Sequence, residues 1–496
     1  MLSLRTCLKR TDLAFSTVTP PIFQNLSTPS EKPWPMEVGH RLQTLLGNVT
    51  AKLKSHLFSI FDFTRWAPMT EYDAIVVGAG IVGLSIGYHL KTADPNLNVL
   101  IVDRLGAAGQ GSTAKSAAAF RCLFTSRTNF ALADSSAEFY RHVQDDLKFD
   151  LKLRWTGYLW FFDEDGYRKM LPVLKELAGR GFKYVEYDSA DLAKKLDMRT
   201  DFANDAEAKM IGLGNVHKGV LIPKAGLIDV DSLVKYYESA FVKLGGKIQY
   251  RTEVNRLIVE PRRPLGMPGE PYFWQDAAVT GIETAKGPIK SKKTIVATGA
   301  WSSQLLDPVG IECFVKAKKR QVFSVKTKTE ALKKLLYCRE FTQAGCLPFT
   351  ILPKPSAYIR PAPEEDALWL AYADEFPRAF KIEDEPEPEE NYYTYGLYQV
   401  MVKYFPQLTD CQPFSAFAGL YEINSIDGQP VIFEENDVMI AGGASGSGIL
   451  KADAMGRIAA ALYQNEEYAY LYGDRKFKVS DLGLKNRSVE PEKLVI

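Results

Sequence analysis

The sequence predicts an α/β fold organised around a doubly wound, dinucleotide-binding unit, and three observations carry that prediction. A short apolar run, Asp73 to Val77, is followed at once by Gly78, Gly80 and Gly83, spaced G-x-G-x-x-G, and by a helical stretch from Ile81 to Leu90. A second apolar run, Val99 to Val102, ends in Asp103, 20 residues beyond Gly83. Near the other end, strands over Pro430 to Phe433 and Val438 to Ala441 lead into Gly442, Gly443, Gly446 and Gly448, and a helix then runs from about Ile449 to Tyr463.

Each part has a physical role. A continuous β-branched run is what a parallel strand buried on both faces requires. The first glycine permits the tight turn, the second lets a pyrophosphate approach the backbone, and the third lets the helix pack close to the sheet. The helix start offers free N–H groups and a positive dipole end to phosphates. Asp103 stands where a ribose-hydroxyl partner is expected. Gly87 marks a further close approach. The late glycine turn again presents a helix start to an electronegative group. The fingerprint alone does not separate FAD from NAD.

A chain of 496 residues has room for two or three domains. Its net charge of +1 gives no global drive toward nucleic acid or acidic surfaces. No continuous apolar stretch is long enough for a membrane-spanning helix. Cys7, Cys122, Cys313, Cys338, Cys346 and Cys411 are scattered without a C-x-x-C, as are the five histidines, so no metal-site spacing arises. The cysteines read as buried thiols in a reducing compartment.

In chain order, residues 1–35 are basic, hydroxylated and nearly acid-free, then broken by Pro20, Pro21, Pro29, Pro33 and Pro35. That composition is expected of a mitochondrial transit peptide, or of a disordered tail. In 36–70, Val38, Leu42, Leu45, Leu46, Val49 and Leu53 recur at helical spacing ahead of the aromatic FSIFDFTRW. This amphipathic extension fits packing on its own domain, a partner, or a membrane surface. The small-residue run GAAGQGSTAKSAAAFR lets backbone pass close to a bulky ligand. A helix over 130–148 is expected next, then paired strands through KFDLKLRWTGYLWFFDEDG, one or two helices in 166–200, and a strand at KGVLIP. Asp229 or Asp231 caps a helix that Gly245 and Gly246 stop. Strands follow at Lys247–Tyr250, Glu253–Val259, Ala277–Glu283 and Lys293–Gly299, with a Pro/Gly-rich surface loop, RRPLGMPGEP, among them. Residues 310–412 are mixed and β-like. The acidic run Glu383 to Glu390 reads as a solvated linker.

Four blocks in order resemble a known family: VVGAGIVGLSIGYHL through VLIVDR, GQGSTAKSAAAFR, KTIVATGAWSS, and AGLYEINSIDGQPVI with GGASGSGILKADAMGR. The pattern is similar to the flavoprotein superfamily of D-amino acid oxidase and the sarcosine and dimethylglycine dehydrogenases, and within it to a mitochondrial type. The resemblance covers about residues 70–470 and implies FAD rather than NAD. It implies a Rossmann-type FAD-binding domain formed by 72–148, 224–310 and 414–470, and a mixed-sheet substrate domain, 149–223 and 311–413, inserted into it. Residues 471–496 would be a C-terminal tail. By motif position Gly78, Gly80 and Gly83 would hold the pyrophosphate, and Asp103 and Arg104 the adenosine side. Gly111, Ser112 and Thr113 would line the flavin, Val254 would face the adenine, and Thr298 and Gly299 the middle of the cofactor. Gly446, Ser447 and Gly448 would lie under the isoalloxazine.

The departures from the family carry information. Covalent members have a cysteine where this chain has Gly419, or a histidine where it has Lys115, so noncovalent FAD is expected. The lysine that promotes reaction with oxygen aligns with Trp369, which favours another electron acceptor. The carboxylate-binding lysine aligns with Leu450, one position before Lys451. An arginine suits a substrate carboxylate because its fork pairs bidentately. Arg360, beside Tyr358, is the first candidate, and Arg121 the second. The expected activity is oxidation of the C–N bond of a small amino acid or N-methyl amino acid. The mitochondrial relative implies an alternative, an accessory or assembly factor of respiratory complex I with little turnover, docking through 36–66 on respiratory subunits or the inner membrane. A 2-hydroxy-acid dehydrogenase is the remaining alternative.

Overall fold

The computed structural model describes residues 71–492. The transit-peptide and amphipathic-extension expectations, and the last four residues, lie outside the described residues. The chain divides into Met1–Pro68 and Met69–Ile496, and the second unit is described here.

The cofactor layer is built from β1 (Glu71–Val77), α1 (Ile81–Ala93), β2 (Val99–Val102), α2 (Arg127–Asp145), α3 (Val230–Lys243), β3 (Lys247–Gln249), β4 (Val254–Pro261), β5 (Ala277–Thr284), β6 (Gly287–Val296), β7 (Val431–Glu435), β8 (Val438–Gly442) and α4 (Gly448–Tyr463). The sheet order is β7-β8-β6-β1-β2-β3, with β4 and β5 branching from β6. The five strands from β8 to β3 are parallel, and β7 is an antiparallel edge. The continuous apolar reading of β1 and β2 is explained by cover on both faces. Ala74, Val76, Val99 and Ile101 pack under the helices. Ile75, Val77, Leu100 and Val102 pack under β4 and β5 through Leu257, Val279 and Ile282.

The turn after β1 admits only glycine at two of its three positions. Gly78 has φ +109°, and an added Cβ would lie 2.5 Å from the Ala297 carbonyl oxygen. A Cβ on Gly83 would lie 1.9 Å from the Gly78 carbonyl oxygen, so the helix sits directly on the turn. Asp229 caps α3 by accepting the Ser232 N–H at 2.7 Å, and Ser126 caps α2.

The second sheet has eight strands, in the order Pro413–Asn424, Val315–Lys326, Ala367–Ala371, Tyr358–Ala362, Phe349–Ile351, Tyr158–Phe162, Lys218–Ile222, Val185–Asp188. Period-2 alternation divides its faces. Leu159, Phe161, Phe323, Ile359 and Leu370 join Met401 and Tyr404 in one core. Tyr158, Val322, Phe349 and Tyr358 lie on the opposite face.

Three expectations change. The stretch before Tyr158 forms no paired strand, because Lys148 and Lys152 take positive φ (58° and 49°) and break extension there. Residues 414–424 belong to the second sheet rather than to the cofactor layer, pairing with Val315–Lys326 along its length. Residues 471–492 are part of the fold: Tyr468–Leu471 pairs with Arg475–Lys478, and Phe477, Val479 and Leu482 enter the helix-side core. The described cysteines are free thiols, four of them buried.

Candidate active site

The two sheets enclose a cleft of about 1100 Å³ that opens at the C-terminal ends of the parallel strands, where ligands bind in open α/β sheets. Its lining brings together Gly78, Gly80, Asp103, Arg104, Gly111, Ser112, Thr113, Val254, Thr298, Gly299, Gly446, Ser447 and Gly448 from segments up to 370 residues apart. Gly83 does not line it, because its part is the helix packing described above.

Local bonds hold this half rigid. The Asp103 carboxylate accepts the Ala79 N–H at 2.7 Å and the Leu105 N–H at 2.8 Å, which ties β2 to the glycine turn. Thr113 Oγ1 accepts the Ile81 N–H at 3.1 Å, securing the small-residue loop to the start of α1. Arg104 pairs with Asp384 at 2.9 Å and lies over the Trp301 ring, whose N–H donates to the same carboxylate. Asp384, Glu385 and Pro386 line the cleft, so this part of the acidic run is a strap over it and not a solvated linker. Elsewhere in the run Glu389 pairs with Arg378 and Lys319, and Glu383 with Lys319.

The other half of the cleft is the second sheet's face opposite the Met401 and Tyr404 core. Tyr158, Phe349 and Tyr358 form a stacked wall with centroids 4.4 and 4.8 Å apart. Burial raises the Tyr158 and Tyr358 phenols, so they stay protonated within the wall. Arg121 and Lys451 line the cleft, both nearly fully buried. Their cationic groups sit 4.3 and 5.5 Å from the centroid of the same Phe124 ring. Burial, then the Arg121 charge, lowers the Lys451 ammonium to about 7. Glu492 lines this end as well. Its carboxylate accepts the Thr125 and Ser126 N–H groups and the Thr125 hydroxyl (3.0, 3.2 and 2.8 Å), and its charge acts on both cations. Glu422 accepts the Ala444 N–H at 3.2 Å, and burial raises its carboxyl to about 7.

Arg360 does not join this set. Its Nε donates to the Ala117 carbonyl at 3.1 Å, its Nη1 to the Pro361 carbonyl and Glu364, and its guanidinium stacks on Trp369 at 4.2 Å. It lies two residues along the strand from Tyr358, beyond the cleft wall, with its Nε and Nη1 engaged. The substrate-ligand expectation for Arg360 is therefore replaced by a structural role, pinning the small-residue loop to the second sheet. Arg360→Met is expected to lower stability by about 1–3 kcal/mol through the orphaned Ala117 carbonyl, with binding of acids unchanged. Thermal unfolding and an acid titration check the two parts. Trp369 also lies outside the cleft lining.

Sequence reasoning passed over Glu422, Arg320, Asp384 and Glu492, and set Lys451 aside as one position beyond the aligned lysine. Glu422 and Lys451 stand within recognised blocks, so a signal existed for them. Arg320 lines the cleft beside Tyr421, and its Nε has no partner among the described residues. Nothing local marks Glu492, which reaches the cleft only through the folded C-terminal segment.

The residues fit a dinucleotide. Ser112 Oγ is buried in the lining and has no partner among the described residues, as a donor to a bound group would be. Gly80 has ordinary backbone angles, φ −70° and ψ 174°. A Cβ there would meet only Thr113 Oγ1, at 3.4 Å, so its absence leaves open space for a bound group.

Comparisons with known proteins agree with this geometry. The bovine (Bos taurus) "FAD-dependent oxidoreductase domain-containing protein 1" is 25% identical over 444 residues, covering 83% of this chain and 87% of its own. The sarcosine oxidase subunit beta of Rhodobacter capsulatus is 24% identical over 252 residues, 49% of this chain and 54% of its own. Among solved structures, L-proline dehydrogenase from P. horikoshii superposes with a TM-score of 0.64 at 19% identity, covering 84% of this chain and 97% of its own. Glycine oxidase from Geobacillus kaustophilus gives 0.61 at 18%, covering 80% and 95%. These structures share the fold. The family model described as FAD dependent oxidoreductase matches residues 73–462. With that match over most of its length, a dinucleotide cleft and the four blocks in order, the chain belongs to the DAO family of FAD-dependent oxidoreductases.

Proposed function

We propose that this FAD-dependent oxidoreductase oxidises the C–N bond of a small amino acid or N-methyl amino acid and passes the electrons to an acceptor other than oxygen. The observation that carries the reading is the pairing of Arg121 and Lys451 on one aromatic ring at the far end of the cofactor cleft. Two buried cations facing a largely apolar wall suit a small carboxylate. Relatives named for sarcosine and glycine point to the same substrate class.

FAD held in this cleft would supply the hydride-accepting chemistry that oxidation of an amine-bearing carbon needs. The chain's part is placement. Arg121 and Lys451 hold the carboxylate, Tyr158 and Tyr358 donate or pack, and Val322 and Phe349 exclude water. The start of α4, at Gly448, turns its positive dipole end toward the cleft, where negative charge is stabilised; the Ser447 N–H is bonded to the Ala444 carbonyl at 3.0 Å. Noncovalent attachment is supported by Gly419 and Lys115, which face each other: a Cβ on Gly419 would lie 2.5 Å from the Lys115 Cβ. Neither position offers a linking side chain. Trp369 at the oxidase lysine's place supports an acceptor other than oxygen. The composition of 1–35 supports mitochondrial targeting.

The test is an anaerobic visible spectrum of the purified protein while amino acids, N-methyl amino acids and hydroxy acids are added in turn. Bleaching by an amino or N-methyl amino acid is the expected result, and acid precipitation should leave the flavin in solution. Bleaching by hydroxy acids alone would move the reaction to C–O oxidation. A bound flavin that no acid reduces would overturn the enzymatic reading in favour of an accessory role.

A further inference from the structure

We propose that the loop joining β4 to β5, residues 262–276, is a membrane-surface anchor that inserts Phe273 and Trp274 into the headgroup region of an anionic bilayer. The inference is independent of the substrate reading.

The loop carries a dense group of exposed apolar side chains. Phe273 is fully exposed, and Leu265, Met267 and Trp274 are 57, 50 and 59% exposed. Single exposed apolar residues are ordinary, but four within ten positions of one projecting loop are not. Nor is the exposure a by-product of slack chain. The Glu270 carboxylate accepts the Leu265 N–H at 3.0 Å and the Met267 N–H at 2.9 Å. The Tyr272 hydroxyl donates to the Pro268 carbonyl at 2.6 Å, its N–H donates to Gln275 Oε1 at 2.7 Å, and Arg262 N–H donates to the Asp276 carbonyl at 2.8 Å. Pro264, Pro268 and Pro271 restrict the backbone further. The fold therefore holds these side chains outward.

The charges select the partner. Arg262 and Arg263 are exposed at the base of the loop. Arg262 bonds Asp276 and Asp437. The single acid between Arg263 and Gln275 is Glu270, and its carboxylate is turned inward onto backbone N–H groups. The tip thus offers rings and aliphatic groups without an outward acid, above a base where Arg262 is held by Asp276 and Asp437 and Arg263 is exposed beside that pairing. Trp274 stacks on Tyr272 at 5.9 Å, and indole and phenol rings with one polar edge settle at bilayer interfaces. Such a tip meets a bilayer without needing a matching pocket, and Arg263 meets anionic headgroups at the depth where the rings enter. No helix among the described residues is long and apolar enough to cross a membrane, so this loop gives attachment at the surface.

The test uses the full-length holoprotein and phosphatidylcholine vesicles containing phosphatidylglycerol. The protein is expected to float with the vesicles. Phe273→Ser/Trp274→Ser, which removes no core side chain, is expected to lose about tenfold in partition, and Arg263→Glu to weaken binding only where phosphatidylglycerol is present. Brominated lipid should quench tryptophan fluorescence in the wild type, and Trp274→Phe should abolish that quenching, which assigns the contact to this loop rather than to another segment. Equal flotation of wild type and double variant overturns the proposal, as does quenching that survives in Trp274→Phe. A wild type that ignores vesicles and instead self-associates or captures a protein through these side chains also overturns it.

Discussion

A Gly80→Leu protein is expected to purify folded and colourless. The backbone at this residue (φ −70°, ψ 174°) is open to any L-amino acid, and an added Cβ would meet no atom closer than Thr113 Oγ1 at 3.4 Å. The leucine therefore projects into the cleft at the start of α1, into the space required by a pyrophosphate. Flavin content, read from visible absorbance per mole of protein, should fall at least about tenfold, which corresponds to roughly 1.4 kcal/mol of lost binding at limiting flavin. Thermal unfolding should match that of wild-type protein stripped of flavin. Gly83→Ala is the contrasting case. Its Cβ would lie 1.9 Å from the Gly78 carbonyl oxygen, so helix and turn must separate, and overpacking of this kind costs about 1–3 kcal/mol. Loss of flavin from the first with loss of stability from the second separates a cofactor role from a packing role. Normal flavin content in Gly80→Leu would refute the site.

Lys451→Met should cost about a hundredfold in kcat/KM for an acid substrate, roughly 2.7 kcal/mol, within the range for removing one partner of a buried charge pair. The loss should fall on KM, because the carboxylate is held alike in ground and transition states. The pH dependence provides a stricter check. Burial and the neighbouring Arg121 lower the ammonium to about 7, so above that pH the free enzyme loses the proton that attracts the substrate. KM should rise with pH above about 7 in the wild type, and that limb should be absent from Lys451→Met. Stability should move the opposite way. A lysine with a depressed folded pKa is a liability wherever the unfolded chain stays protonated. The penalty is complete below about 7 and fades as pH climbs toward the unfolded value. The methionine variant should therefore melt higher than wild type at pH 6 and converge with it near pH 10. A pH-independent change in melting would show that Lys451 is not a buried, titrating cation.

How much of the site was legible follows from the range of the interactions concerned. The strand, glycine turn and helix from Glu71 to Ala93, and the late turn into α4, are local, so spacing and residue type expose them. The cleft lining from Gly111 to Thr113 and at Thr298 and Gly299 was legible because it stands in blocks that the family shares. The substrate end was not. Arg360 and Arg121 are both arginines in short strands beside aromatic residues. Arg121 lines the cleft with partners of its own, Leu123 and the Phe124 and Trp160 rings, while Arg360 lies outside the lining on the Ala117 carbonyl, Glu364 and Trp369. That difference depends on which end of each strand the second sheet leaves open, and no pattern within either strand encodes it. Position by position, the carboxylate-binding lysine falls on Leu450, yet both Leu450 and Lys451 line the cleft, and it is Lys451 that joins Arg121 at Phe124.

The sequence alone determined the dinucleotide unit, the family and the chemistry of the cofactor half, because a phosphate-binding turn needs glycines at fixed spacing and a buried parallel strand needs an unbroken apolar run. Only the tertiary structure decided which cations share a ring at the substrate end, that an acidic run straps the cleft, and that Glu492 closes it from the far end of the chain. Those contacts join residues hundreds of positions apart, and such pairings are set by how two sheets pack face to face, which leaves no periodic trace in either strand.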